Sequence, residues 1–234
     1  MKTLILVPTY NERGNIEPLV QEILKHNPEV DILFIDDSSP DRTWDLVQKI
    51  GHSNPHVHLL KRERKQGLGR AYLAGFDWGL ERGYEYLIEM DADFSHRPQD
   101  LTKIIASFKP EIDFIVGSRY IPGGTTVNWG FLRKVISRGG SLYARFILGY
   151  PLRDWTGGFN AWTAATLARI CLSKVTSNGY SFQIELKYRA LKSGCRGLEV
   201  PITFEERRVG KSKMSLKIVL EAFYRVWQIR AAKP

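Results

Sequence analysis

The 234 residues are 43% hydrophobic, 12% aromatic and 25% charged, enough for one sizeable core, too few for two full domains, and unlike disordered or fibrous chains. No apolar run reaches the roughly 18–20 residues that span a bilayer, and the apolar stretch near the start is too short for a secretory signal, so a soluble or peripherally attached protein is expected. A net charge of +9 points to a polyanionic partner (nucleic acid, an anionic membrane surface or phosphorylated substrates), unless it marks only a solvated basic face.

Apolar runs at Thr3–Val7, Val30–Ile35, Val57–Leu60, Tyr86–Met90 and Asp113–Gly117 read as buried strands. Between them, Asn15–His26, Asp41–Ile50, Gly67–Arg82 and Pro98–Phe108 carry helical periodicity. This alternation predicts a mostly parallel sheet flanked by helices, with ligands outside the carboxyl ends of the strands. Further on, Arg133–Gly149 and Ser181–Leu191 read as helices, Gly197–Phe204 as a strand broken by Pro201, and Ser215–Arg230 as an amphipathic helix. Cys171 and Cys195 lack metal or disulfide spacing and are expected in the core of a protein kept in a reducing cytoplasm. The expected organisation is a single domain over 1–234, with a nucleotide-binding half over about 1–118 and an acceptor half over about 119–234.

The segments that leave the strands carry the candidate chemistry. Asp91-Ala92-Asp93 directly follows YLIEM. On an extended backbone, carboxylates at i and i+2 point the same way, about 6–7 Å apart at their alpha carbons. They repel unless a cation lies beside them, a need that a hard divalent metal carrying a diphosphate answers. The plain alternative is a turn leading into a helix cap. Tyr10 offers a face on which a base can stack, and Glu12 and Asp37 offer acceptors. No G-x-G-x-x-G and no Walker lysine loop follows the first strand, which argues against a dinucleotide site or a P-loop kinase. Residues 119–153 hold six basic residues and no acid, and residues 207–234 hold eight basic residues and one acid. The remainder is mildly acidic.

PTYNE, IDDSSPDRT, RKQGLGRAY, MDADFSH, GSRY and VGKSKMS occur in this order along the chain. In that order and approximate spacing they resemble a family-2 glycosyltransferase, most closely the catalytic domain of polyprenol-phosphate (dolichyl-phosphate) mannose synthases. The resemblance implies an α/β GT-A fold with a Rossmann-like nucleotide half and an acceptor half. It also implies inverting transfer of mannose from GDP-mannose to a polyprenyl phosphate, with Mg²⁺ or Mn²⁺. Carried over by position, Pro8, Tyr10, Glu12, Ile35 and Asp37 would surround the nucleoside. Asp91, Ala92 and Asp93 would meet the diphosphate, with Asp91 and Asp93 as metal ligands. Arg119, Arg133 and Ser137 would grip the acceptor phosphate, Arg119 also reaching the donor, and Arg207 and Lys213 would close over the donor phosphates. Asp91, Asp93 and Arg119 form the implied catalytic set. Ser95 stands where some members place a further metal ligand.

Elementary chemistry agrees with this assignment. A leaving diphosphate gains negative charge that a metal and Arg/Lys stabilise. An acceptor phosphate is already anionic and needs arginine forks rather than a general base. A hydroxyl acceptor, or a donor such as UDP-glucose, is the second reading; for a hydroxyl acceptor Asp154 is the candidate base. A basic nucleic-acid binder is a remote third, because carboxylates at the strand ends repel a phosphate backbone; no nucleic-acid partner is expected. His96 is expected to serve the loop rather than the reaction. The stripe of Leu216, Val219, Leu220, Phe223, Val226 and Trp227 reads first as core. A lipid acceptor, however, requires contact with an anionic membrane surface, through this helix or through Val135–Leu148 with Tyr143, Phe146 and Ile147. The cytoplasmic membrane face and a separate membrane-anchor subunit complete the expected partners.

Overall fold

The structure, a computed structural model, describes residues 2–206 and 216–231 (backbone only for Tyr180 and 216–222). Strands β1 (Thr3–Thr9), β2 (Asp31–Asp36), β3 (Val57–Lys61) and β4 (Tyr86–Glu89) alternate with helices α1 (Arg13–His26), α2 (Thr43–Ser53), α3 (Leu68–Glu81) and α4 (Pro98–Ala106). Then follow β5 (Phe114–Ser118), β6 (Thr125–Val127), α5 (Phe131–Leu148), β7 (Asn160–Thr163), α6 (Ala164–Arg169), α7 (Tyr180–Lys192), β8 (Gly197–Pro201), β9 (Thr203–Glu205) and α8 (Leu216–Ala231).

Among the described residues, one seven-stranded sheet runs in the order β3-β2-β1-β4-β7-β5-β8. Its pairings are parallel except at β7, which runs antiparallel to both β4 and β5. The expected mostly parallel sheet is therefore present, with one central reversal that the periodicity did not signal. The reason is length: Asn160–Thr163 has four residues, too few for a pattern, and it follows a glycine-rich turn that reads as loop.

Continuous apolar strands are what two covered faces require. Leu4, Leu6, Leu33 and Ile35 enter one core, whereas Ile5, Val7, Ile32 and Phe34 enter the other. On the second face, α1 buries Ile16, Leu19, Val20 and Ile23 at helical spacing. On the first, α3 lies close because Gly75 and Gly79 face the sheet. A Cβ at Gly75 would lie 2.5 Å from Ile35 Cδ1, and one at Gly79 would lie 2.6 Å from Leu87 Cδ2. Ile35 is thus a core residue under α3 rather than a side chain that lines the end of the sheet.

Pro201 does break the eighth strand. The chain turns there, and Thr203–Glu205 pairs with β6 as a separate parallel ribbon. Cys195 is buried as expected, but Cys171 is exposed, because it starts a short 3₁₀ turn, Leu172–Lys174, with φ of 53°.

Candidate active site

The site grows from the carboxyl ends of β1, β2, β4 and β5. Asp36, fully buried, ties the first two loops together. Its carboxylate accepts from Thr9 Oγ1 (2.8 Å), Ser39 N (2.8 Å) and Ser39 Oγ (2.6 Å). Asn11 N donates to Ser39 Oγ at 3.0 Å and Glu12 N to Thr43 Oγ1 at 3.1 Å. Asn11, Ser38 and Arg42 all hold positive φ, backbone strain that these bonds sustain. The neighbouring Asp37 faces Arg62 at 3.3 Å. Burial raises its pKa more than Arg62 lowers it. Tyr10 is half-buried, with Lys65 Nζ 3.6 Å from its ring centroid. Pro8, half-buried, pairs with Ile35 across the strands.

Asp91, Ala92 and Asp93 do not continue the strand. β4 ends at Glu89, and the chain turns at Ala92 and Asp93 toward Phe94, whose φ is 62°. The expected extended spacing is thus replaced by turn geometry. Local hydrogen bonds shape the turn. Asp91 N donates to His96 Nδ1 at 3.0 Å, and Ser95 N donates to Asp93 Oδ1 at 3.0 Å. His96 is buried against Phe159, with ring centroids 4.7 Å apart. Burial pulls its pKa down to about 4, so it is neutral, and its Nδ1 is taken by backbone. It serves the loop, as expected.

Could the turn hold a metal? Among the described residues there is no cluster of three or more His, Cys, Asp or Glu. Two carboxylates, Asp93 buried and Asp91 35% exposed at its side chain, make an incomplete shell of hard oxygens. That set suits Mg²⁺ or Mn²⁺ carried in with substrate phosphates, and does not suit a resident ion.

Arg119 sits at the end of β5 and is only 7% exposed. Its Nε and Nη2 donate to the two oxygens of Asp154, each at 2.7 Å, and Nη2 also reaches Thr156 Oγ1 at 2.9 Å. Asp154 is fully buried and accepts further from Arg119 N and Gly157 N, both at 2.9 Å. Its pKa is lowered: burial by itself would raise it, but Arg119, with Lys187 adding to it, reverses that. With four donors on a buried, acidic carboxylate, Asp154 is unsuited to be a general base. It orients Arg119, a role that the sequence reading missed. The signal for it was the late aspartate outside an otherwise acid-free basic stretch.

Around Arg119 lies an aromatic wall: Trp129 and Phe204, with ring centroids 5.5 and 5.4 Å from the guanidinium carbon. Arg133 stacks over Trp129 at 4.0 Å and pairs with Glu206 at 3.0 Å. Ser137 accepts from Tyr120 Oη at 2.7 Å. Phe204 also meets His96 edge-on at 5.2 Å. One ring therefore touches both the residue behind the Asp91–Asp93 turn and the arginine after β5. Arg207 and Lys213 lie outside the described residues.

Glycosyl transferase family 2 matches residues 4–175. Over 232 residues the chain is 47% identical to the polyprenol monophosphomannose synthase of Mycolicibacterium smegmatis, covering 98% of this chain and 88% of that one. It is 46% identical to the undecaprenyl-phosphate mannosyltransferase of Micrococcus luteus, covering 99% and 96%. The glucosyl-3-phosphoglycerate synthase of Mycobacterium tuberculosis, solved with Mn²⁺, UDP and glucosyl-3-phosphoglycerate, superposes with a TM-score of 0.70 at 14% identity, covering 100% and 81%. That likeness extends to the fold alone. With a mostly parallel sheet, an acidic turn after its fourth strand and a matched stretch that runs from β1 through α6, the chain belongs to glycosyl transferase family 2 and has the GT-A fold.

Proposed function

We propose that the protein transfers mannose from GDP-mannose to a polyprenyl phosphate, with inversion and with Mg²⁺ or Mn²⁺, at the cytoplasmic face of an anionic membrane. The observation that carries this reading is the position of the buried Arg119 and the half-buried Arg133. They lie on or beside a helix whose outer face carries large apolar residues among its basic ones: on α5, Phe131 is 83% exposed, Leu132 71% and Phe146 82%. Phe223, Tyr224 and Trp227 of α8 are exposed too, and Phe223 packs on Tyr143 of α5 at 4.3 Å. Arginines next to a broad apolar face suit a phosphate that arrives on a lipid. The two mannosyltransferase relatives, near half identity, support the same class of acceptor. No helix among the described residues is long and apolar enough to cross a membrane; in this reading the exposed apolar residues of α5 and α8, or a membrane-anchor subunit, bring the site to the lipid.

In this reading Tyr10, Glu12 and Asp37 hold the nucleoside, and Pro8 and Ile35 contribute backbone beneath it. A base stacked on Tyr10 would have to share or displace Lys65, whose Nζ lies 3.6 Å from the ring centroid. Asp91 and Asp93, with Ala92 between them, hold the metal, which when bound would offset charge on the leaving diphosphate. Ser95 acts through its backbone bond to Asp93. Arg119 and Arg133, with Ser137, seat the acceptor phosphate, and Arg207 and Lys213 close over the donor. The acceptor phosphate is already ionised, so no base is required. The hydroxyl-acceptor alternative loses its candidate base, because Asp154 is committed to Arg119.

The test is incubation of purified protein with GDP-mannose and a polyprenyl phosphate in detergent, with Mg²⁺ or Mn²⁺. Lipid-linked mannose is expected, and its absence would refute the reading. GDP with Mn²⁺ is expected to raise the melting temperature more than UDP with Mn²⁺, and Asp93→Ala to erase the metal-dependent part. At a ligand concentration about 100-fold above Kd the stabilisation is about 2.7 kcal/mol. A full metal-dependent shift in Asp93→Ala would show that the metal lies elsewhere.

A further inference from the structure

Helix α7 carries two inward polar residues one turn apart, Gln183 and Lys187, with 3% and 0% exposure. Spacing of i and i+4 puts them on one face. Gln183 Nε2 donates to Glu89, the last residue of β4 and two residues before Asp91. Glu89 also accepts from Trp162 Nε1 at 2.6 Å. Lys187 Nζ donates to three backbone carbonyls of one turn: Asp154 at 3.2 Å, Trp155 at 3.2 Å and Gly157 at 2.7 Å. An ammonium has three N–H groups, so this turn takes them all. The same turn holds the carboxylate that orients Arg119.

Burying an ammonium costs several kcal/mol, and a well-packed apolar side chain of similar volume is often the more stable choice. Retaining a lysine here makes sense where the shape of the turn matters more than stability. We infer that Lys187 is a positioning residue: by caging the carbonyls of Asp154, Trp155 and Gly157, it fixes the Asp154 carboxylate and through it the Arg119 guanidinium at the acceptor phosphate. Gln183, anchored on β4, holds the same helix in register with the Asp91–Asp93 turn. The inference rests on the functional reading above. Lys187 faces Asp154, Glu89, Arg119 and Glu199, and burial pulls its pKa down to about 8. Above that pH the neutral amine offers two N–H groups to three carbonyls.

The experiment compares wild type with Lys187→Met, which lacks donors, Lys187→Gln, which keeps two, and Val47→Ala. Val47 is buried in α2 on the opposite face of the sheet. Three readouts are taken: melting temperature, KM for polyprenyl phosphate, and affinity for GDP with Mn²⁺ by titration. Lys187→Met is expected to raise the acceptor KM by about 10- to 100-fold, the scale of a displaced positioning group. Lys187→Gln should raise it less, and GDP affinity should stay within about twofold in both. Val47→Ala should lower the melting temperature and move neither constant. The wild-type acceptor KM should climb above about pH 8 while GDP affinity holds level. This reading remains available if Lys187→Met does not fold. An acceptor KM unmoved by the Lys187 variants or by pH, or one that rises only in parallel with the GDP Kd, overturns the inference. Absence of transfer by the wild type would instead sink the functional reading itself.

Discussion

Adjacent acids in this chain have different roles, and burial and partners decide which. Asp36 accepts three hydrogen bonds and is spent on tying two loops together, whereas Asp37 faces Arg62. Asp154 is likewise spent, on Arg119. Its pKa is held below the ordinary 3.8, so the sign of the linkage follows. The contribution of the pair is complete above about 3.8 and is lost as pH falls through the lower, folded value. Asp154→Asn leaves a buried guanidinium without its counter-charge, and should cost about 3–5 kcal/mol at neutral pH. It should also remove that acid-sensitive portion of stability. Urea unfolding of both proteins across a pH series checks each point, and an unchanged midpoint would show that the pair is dispensable. The roles of Tyr10, Asp91 and Asp93 were suggested by motif alone. That Asp154 serves Arg119 depended on a contact between residues 35 apart in sequence.

At the scale of the element, helical periodicity marks an apolar stripe but not which edge of it the protein covers. In α8, Val226 and Ile229 are buried, while Trp227, counted in the same stripe, is 53% exposed. In α5 the inward face is Ser137, Ser141, Ala144, Ile147 and Leu148, lined largely by small residues. Ile147 was a candidate for membrane contact and lies in the core, whereas Phe146 stands out from it. Replacing Phe146 and Trp227 together by Ser should therefore weaken co-sedimentation with anionic vesicles and leave the melting temperature nearly unchanged. Equal sedimentation of variant and wild type would argue that the face meets something other than lipid. The strands tell the same story: β1 to β5 were legible as apolar runs, but four-residue β7 was not, because only pairing with β4 and β5 makes it a strand.

For the whole molecule, the uneven charge is what matters. The basic blocks lie in the second half of the sequence, and the first of them contains α5, where Lys134, Arg138 and Arg145 are exposed among the outward apolar residues. Each such cation near an anionic bilayer contributes about 1 kcal/mol, falling off over about 8–10 Å at physiological salt. Vesicle binding is expected to weaken with added salt but to keep an apolar remainder, whereas binding insensitive to salt would assign the basic residues another partner. The fold supports this division of labour. Parallel strands bring the carboxylate turn and the loops after β1 and β2 to one end of the sheet, and Phe204, from the ribbon after β8, links that end to Arg119.

Taken by itself, the sequence determined the alternation of strands and helices and the family, and it suggested residues for a nucleotide, a metal and a phosphate. Those are properties of periodicity and of contiguous motifs, which need no knowledge of what lies across the fold. Tertiary structure alone decided that Ile35 belongs to the core, that Asp154 pairs with Arg119, that Lys187 binds the turn holding Asp154, and which helix faces stay open. Each of these depends on contacts between segments far apart along the chain, where burial and the competition for hydrogen-bond donors are settled only when the elements pack.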